Sequence, residues 1–393
     1  MRTIKQIKIW DWLLIFGTLM APMTSLRFGG RIGPAELMMF VWALRVTDFR
    51  TVRISFVEKF FIAFLLALFC GSMCGLLIAP KELSRQGWIT WPYMAFISHA
   101  LFSYLKRNDR EYNACLFNLI CILVTITQFG LYEYAVNGAK KFMGAQLWFA
   151  HRYSGGGKNP HQVAILFCGI TFWHAYKVLK EKKLIYIVLV YLSVFLMTKT
   201  YSSTGDAALV LGFVSIFVTW IIGLEHSKPK KLMFIMLGFV VLLCLGFLFR
   251  ERLIKELNDW INGDSNGRGR LLIWSSITDL LKKSPVWGLG AGTHGHSGKI
   301  EFHNSYLEII AATGLVGLST FVIFSYKLFE KILKAEPMLI SIVISMYGYS
   351  TGGFAFRRIV YWILTIFALV IAVQTGQERD YRQGLELRHD DMI

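Results

Sequence analysis

His303 and Asn304 stand side by side where a long polar stretch meets the apolar run that begins at Leu307. Asn is a favoured helix N-cap, so the sequence predicts a helix starting here. Its free N–H groups and positive dipole end would face the polar stretch. A helix start of that kind favours an anion and disfavours a protonated imidazole beside it. His303 is therefore the candidate proton acceptor, with Asn304 and Glu308 in support. A histidine resting at a membrane boundary is the plain alternative. Cations surround the same region: Arg268, Arg270, Lys282 and Lys283 in the polar stretch, and Arg27, Arg31, Lys140, Lys141, Arg152, Lys158 and Lys199 elsewhere. Any one of them fits a solvated loop or a lipid head group. Together, Arg152, Arg268 and Arg270 point to an anion site, because guanidinium forks match phosphate oxygens.

Other chemistry is less well supported. His294, His296 and His303 have metal-binding side chains, but their spacing is loose and no nearby Asp completes a set. Asp264, Asp279, Glu301 and Glu308 include no adjacent acidic pair for Mg²⁺. No metal and no cofactor is expected. The run Gly288-Leu289-Gly290-Ala291-Gly292 lacks the strand and helix of a nucleotide loop and reads as a turn after Pro285. Before it, Leu271, Trp274, Ile277 and Leu281 recur at helical spacing, with Trp274 suited to a membrane interface. Gly314 and Gly317 read as small residues for close helix packing. Asp206 is read as a partner for Lys199.

These residues must be held by membrane-spanning elements. More than half of the 393 residues are apolar, and runs such as 60–79, 115–132, 207–222 and 232–249 are long enough, or nearly so, to cross the hydrocarbon. Twelve helical spans are expected near 9–23, 33–45, 58–79, 88–105, 112–134, 162–179, 184–198, 206–224, 232–249, 304–326, 337–355 and 359–375. The fold class is thus all-α, a polytopic membrane protein forming one transmembrane domain over 1–393, with a large external loop at 250–303 before the late spans. The first span follows Arg2, Lys5 and Lys8 without a convincing cleavage site, so a retained anchor is expected. With the N-terminus in the cytoplasm, the short basic connections around Arg50, Lys106, Lys182, Lys230 and Lys331 all fall inside. That topology absorbs much of the net charge of +17, and scattered cations argue against nucleic acid as a partner. All six cysteines lie in apolar segments, which excludes a disulfide framework in polar loops.

Taken together, the motifs resemble those of the bacterial O-antigen ligase and polymerase superfamily. His303-Asn304 with Leu307, Gly314 and Gly317 resembles its H-N-x-x-L…G-x-x-G signature. Arg270, Trp274, Pro285 and Gly288-x-Gly290 resemble its R-x-x-x-W…P-x-x-G-x-G segment, and Arg152, Gly155 and Asn159-Pro160 an R-x-x-G…N-P element. One position departs: Ser203-Thr204-Gly205 stands where many members have Ser-Arg-Gly, and Lys199 is the expected substitute. The resemblance implies an inverting, metal-independent glycosyltransferase in the inner membrane, acting on its periplasmic face. It would polymerise undecaprenyl-diphosphate-linked repeat units into O-antigen or another surface polysaccharide. A ligase acting on lipid A-core is the alternative, and a flippase for lipid-linked glycans is the alternative outside enzymes. The implied partners are the lipid-linked donor, a lipid-linked or lipid A-core acceptor, and a chain-length regulator. His303 would be the base, and Arg152, Arg268, Arg270 and Lys199 would hold the diphosphate. A transporter would place its polar residues near mid-membrane; here they gather at one face.

Overall fold

The computed structural model describes residues 7–26, 32–48, 54–223, 236, 251, 254, 258, 270–292 and 301–382. They fold into helices, in order α1 (Asp11–Met20), α2 (Pro34–Val46), α3 (Phe56–Ile78), α4 (Arg85–Arg107), α5 (Arg110–Val136), α6 (His161–Glu181), α7 (Leu184–Lys199), α8 (Ser203–Gly223), α9 (Arg270–Ser275), α10 (Ile277–Lys283), α11 (Ser305–Ala335), α12 (Ile340–Ser350) and α13 (Ile359–Arg382). The strands are two short antiparallel pairs in the α5–α6 connection, β1 (Lys141–Phe142) with β2 (Ala145–Gln146) and β3 (Trp148–Phe149) with β4 (Arg152–Tyr153). Six helices (α3, α5, α6, α8, α11 and α13) are long and apolar enough to cross a membrane, and α1, α7 and α12 are shorter apolar helices. The chain is a mostly helical membrane protein. The expected span at 232–249 lies outside the described residues, apart from Met236.

The chain divides into two compact units, each assembled from separate stretches: residues 1–59, 90–213 and 324–393 in the first, and 60–89 and 214–323 in the second. Helices α6 and α13 are the most enclosed helices, with 78% and 83% of their apolar windows buried. In the first unit, Phe117 of α5 stacks on Phe367 of α13 at 4.6 Å and meets Trp173 of α6 at 4.6 Å. These buried rings form an apolar contact among the three helices. The outward faces of α3 and α7 keep Leu66, Leu77, Leu184 and Tyr191 exposed, as a lipid-facing surface requires.

Polar side chains pin the helices of the first unit at both ends. Lys8, just before α1, donates to Asn108 after α4 at 2.8 Å. The buried carboxylate of Asp11 accepts from Trp42 of α2 at 3.1 Å, from the Tyr104 hydroxyl of α4 at 2.6 Å, and from Tyr112 of α5. Gln374 near the end of α13 accepts from Asn113 at 2.9 Å and donates to the Asn108 carbonyl at 2.8 Å. At the other end, Ser25 after α1 donates its N–H to the Gly156 carbonyl ahead of α6, and Tyr349 at the end of α12 donates to the His161 carbonyl at 3.2 Å. The start of α1, the ends of α2, α4 and α13 and the start of α5 thus lie together, and the end of α12 lies with the start of α6. Each bond also satisfies a polar group that would otherwise cost free energy where water is absent.

Candidate active site

In the second unit the site is built from a broken helix. Asn304 caps α11: its side-chain oxygen accepts from the N–H groups of Tyr306 at 3.0 Å and Leu307 at 3.1 Å, and its carbonyl accepts from Glu308 N. The predicted helix start is therefore in place, and Glu308 lies in its first turn. His303 precedes the cap with φ +50, in the left-handed region that few non-glycine residues adopt. Its neighbours fix it there. Phe302 is 3% exposed and packs with Ile273, Leu280, Leu289 and Ala311, with Trp274 and Leu307 against the same cluster. Trp274 donates its indole N–H to the Phe302 carbonyl at 2.9 Å. Trp274, the residue expected to suit a membrane interface, thus braces the backbone beside His303.

The expected single amphipathic helix over 271–281 is instead two short helices, α9 and α10, meeting at Ser276. The Ser276 hydroxyl bonds the Ile273 carbonyl at 2.6 Å, and its N–H reaches the same carbonyl, tightening the turn between them. Arg270 opens α9, and Arg268 lies outside the described residues, as do His294, His296 and Lys299. Among the described residues, no group of three His, Cys, Asp or Glu side chains could hold a metal ion. Five described cysteines, Cys70, Cys74, Cys115, Cys121 and Cys168, are free thiols.

Gly288 and Gly290, at φ +71 and +78, turn the chain after α10 as expected, whereas Gly314, expected as a small residue for helix packing, does something else. Gly314 has φ +59 and ψ −157, a conformation open essentially to glycine alone, and it breaks α11. The break frees carbonyls and N–H groups, and residues 285–290 satisfy them. Leu289 N and Gly290 N donate to the carbonyls of Ala311 and Ala312 at 2.8 and 2.9 Å; Leu315 N and Val316 N donate to those of Pro285 and Val286 at 2.9 and 3.2 Å. The strap lies so close that a Cβ on Gly288 would come within 2.6 Å of Gly314 N. On its other side Gly71 and Gly75 of α3 leave room for it, since a Cβ there would meet the Trp287 carbonyl at 2.4 Å and the Leu289 carbonyl at 2.1 Å. The P-x-x-G-x-G segment and the break at Gly314 are thus the two halves of one backbone junction, eleven residues beyond His303 on α11.

In the first unit Arg152 sits on β4, half-buried, and its Nε donates to the Thr200 carbonyl at 2.8 Å. Burial lowers its pKa from the usual arginine value, and the nearby Tyr349 hydroxyl opposes that shift. Its neighbour Tyr153 is buried and donates to the Gln128 carbonyl at 2.8 Å. Gly155, at φ +53, passes so near Gln128 that a Cβ would come within 2.2 Å of its side-chain oxygen. Asn159 accepts from His161 N at 3.0 Å and leads the chain into α6. The R-x-x-G…N-P element therefore seats Arg152 against the loop after α7. Lys199 ends α7 with its ammonium 5.0 Å from the Phe195 ring centroid, while the Ser202 hydroxyl accepts from Gly205 N at 3.3 Å and caps α8. Asp206 is exposed in the first turn of α8.

Sequence reasoning passed over Gln162, Arg357 and Arg358. With its side-chain oxygen turned towards Arg358, Gln162 accepts from both terminal guanidinium nitrogens at 2.8 Å. The signal was present: two adjacent arginines in a short connection on the face expected to be external. No curated protein matches the chain. The family model described as O-antigen ligase matches residues 185–322, which include α7, α8, the strap, His303 and the break at Gly314. The match over residues 185–322 makes this part of the chain similar to O-antigen ligase domains, and it supports the resemblance to the O-antigen ligase and polymerase superfamily.

Proposed function

We propose that the protein is an inner-membrane glycosyltransferase that polymerises undecaprenyl-diphosphate-linked repeat units on the periplasmic face. The observation that carries this reading is His303, held by Trp274 and Asn304 at the start of α11 inside the matched domain. In the proposed reaction the acceptor hydroxyl attacks the anomeric carbon of the donor. Its proton passes to the His303 imidazole as the new glycosidic bond forms. The bond between that carbon and the diphosphate oxygen breaks, and polyprenyl diphosphate leaves with the electron pair. A single displacement of this kind inverts the anomeric centre. Arg152, Arg268, Arg270 and Lys199 are the cations assigned to the departing charge, and guanidinium groups suit it best because they present paired donors. Nothing in this scheme asks for a metal. Much of the rate would come from positioning two bulky lipid-bound partners.

The basic residues at one end of the first unit support the sidedness. Lys8, Arg45, Lys106, Lys180 and Arg379 lie at that end, as cytoplasmic connections do. The description of the matched family supports the second reading, a ligase that uses lipid A-core. One assay separates the two. Purified protein is incubated with a lipid-linked repeat unit, with and without lipid A-core, and products are resolved by size and by lipid. Lengthened lipid-diphosphate glycan without the core supports the polymerase. Product only on lipid A-core makes it a ligase, and transport without any new glycosidic bond would make it neither.

A further inference from the structure

Arg357 and Arg358 occupy the short connection between α12 and α13, half-buried and adjacent. A half-buried guanidinium at the end of a helical bundle is costly, and a side chain that bears such a cost is a functional candidate. Gln162 holds Arg358 through both terminal nitrogens, so the group is aimed. Gln162 is the second residue of α6. The first, His161, faces the Ser202 hydroxyl across 3.5 Å and has its carbonyl bonded by Tyr349. Ser202 lies two residues after Thr200, whose carbonyl holds Arg152. Arg357 packs its guanidinium over the Phe354 ring at 4.7 Å. Arg152, His161, Arg357 and Arg358 thus gather around the start of α6 within one unit. The amide of Gln162 and the carbonyl of Thr200 orient two of them. Lys199 differs, because its ammonium lies over Phe195.

We propose that Arg358, oriented by Gln162 and grouped with Arg152, binds the phosphate group of a lipid-linked substrate. The assignment of that phosphate to the glycan donor rests on the transferase reading above. The same chemistry would also bind a phospholipid head group, and the experiment separates these sources. The full chain is placed in phosphatidylcholine nanodiscs, and binding of undecaprenyl diphosphate without glycan is titrated, with phosphatidylglycerol in a parallel arm. Arg358→Ala should weaken undecaprenyl diphosphate binding by roughly tenfold or more, the scale of a charge-assisted bidentate contact. Arg358→Lys should recover part of that loss, because it restores charge without the fork. Lys141→Ala, on exposed β1, should bind as wild type.

Wild-type affinity in a monodisperse Arg358→Ala protein overturns the proposal, as does a wild type that binds no undecaprenyl diphosphate. Loss of phosphatidylglycerol binding alone overturns it too, and makes the cluster a head-group site. If Arg358→Ala does not fold, Arg358→Lys carries the test, and unchanged affinity there has the same consequence. Arg358-dependent binding in a wild type that transfers glycan neither to a repeat unit nor to lipid A-core keeps this site and removes the transferase reading. Extension by an Arg358→Ala protein that binds as wild type does the reverse.

Discussion

His303 owes its position to residues on either side of it. Phe302 is fixed in the apolar cluster and by the Trp274 indole, and Asn304 is fixed by the two N–H groups it caps. Backbone fixed on both sides of a residue reduces the ordering its side chain needs to meet a substrate hydroxyl, which suits a general base. His303→Ala is expected to lower transfer by roughly 10²–10⁴-fold, the usual contribution of a general base. His294→Ala and His296→Ala should keep much more activity, and EDTA should leave the wild type active. Failure of all three variants, with EDTA inhibition reversed by Zn²⁺ or Mg²⁺, would replace the base with a metal centre. Arg152 is tied to the Thr200 carbonyl through its Nε. Arg152→Ala and Arg270→Ala should each cut transfer by roughly tenfold or more at normal membrane levels, with lysine restoring only part. Full activity in either alanine variant, measured with lipid-linked donor, would remove that residue from the site.

The break in α11 is the element on which the His303 region depends. An uninterrupted helix would leave Pro285, Val286, Leu289 and Gly290 without these backbone partners, and a broken one without the strap would lose the same bonds. The two solve each other's problem, and only glycine fits at the points of closest approach. Gly314→Ala would hold alanine at φ +59 and ψ −157 and bring its Cβ to within 2.3 Å of the Val286 carbonyl. Strain of this kind costs on the order of 1–3 kcal/mol before the clash is added. Gly314→Ala and Gly288→Ala should therefore lower the unfolding temperature in detergent and the yield of monodisperse protein. Gly130→Ala is the matched control, since a Cβ there meets nothing within 4 Å. Wild-type melting of Gly314→Ala would show that the junction is dispensable.

At the scale of the whole chain, the grouping of helix ends in the first unit and the basic end of that unit lead to a topology that labelling can check. A cysteine placed at Lys158 should react with an impermeant thiol reagent in intact spheroplasts, and one at Lys182 only after lysis. The opposite pattern would put the proposed reaction on the wrong side for a lipid-linked donor. The helices themselves were legible in the sequence: α3, α5, α6 and α13 lie within a few residues of the expected spans, because apolar length in a lipid environment leaves few alternatives to a helix. The cap at Asn304 was legible for a similarly local reason, since a side chain that bonds N–H groups two and three residues ahead is specified by its own neighbours. The junction of the strap with α11 was not, because its four hydrogen bonds join residues far apart in sequence, and a glycine's spacing does not reveal what approaches it. Nor was the pairing of Gln162 with Arg358, which brings together residues nearly two hundred positions apart. The sequence alone determined which segments are helices and which residue types carry charge or accept protons. Only the tertiary structure decided which backbone groups and which arginines meet, because those contacts depend on long-range packing rather than on local preference.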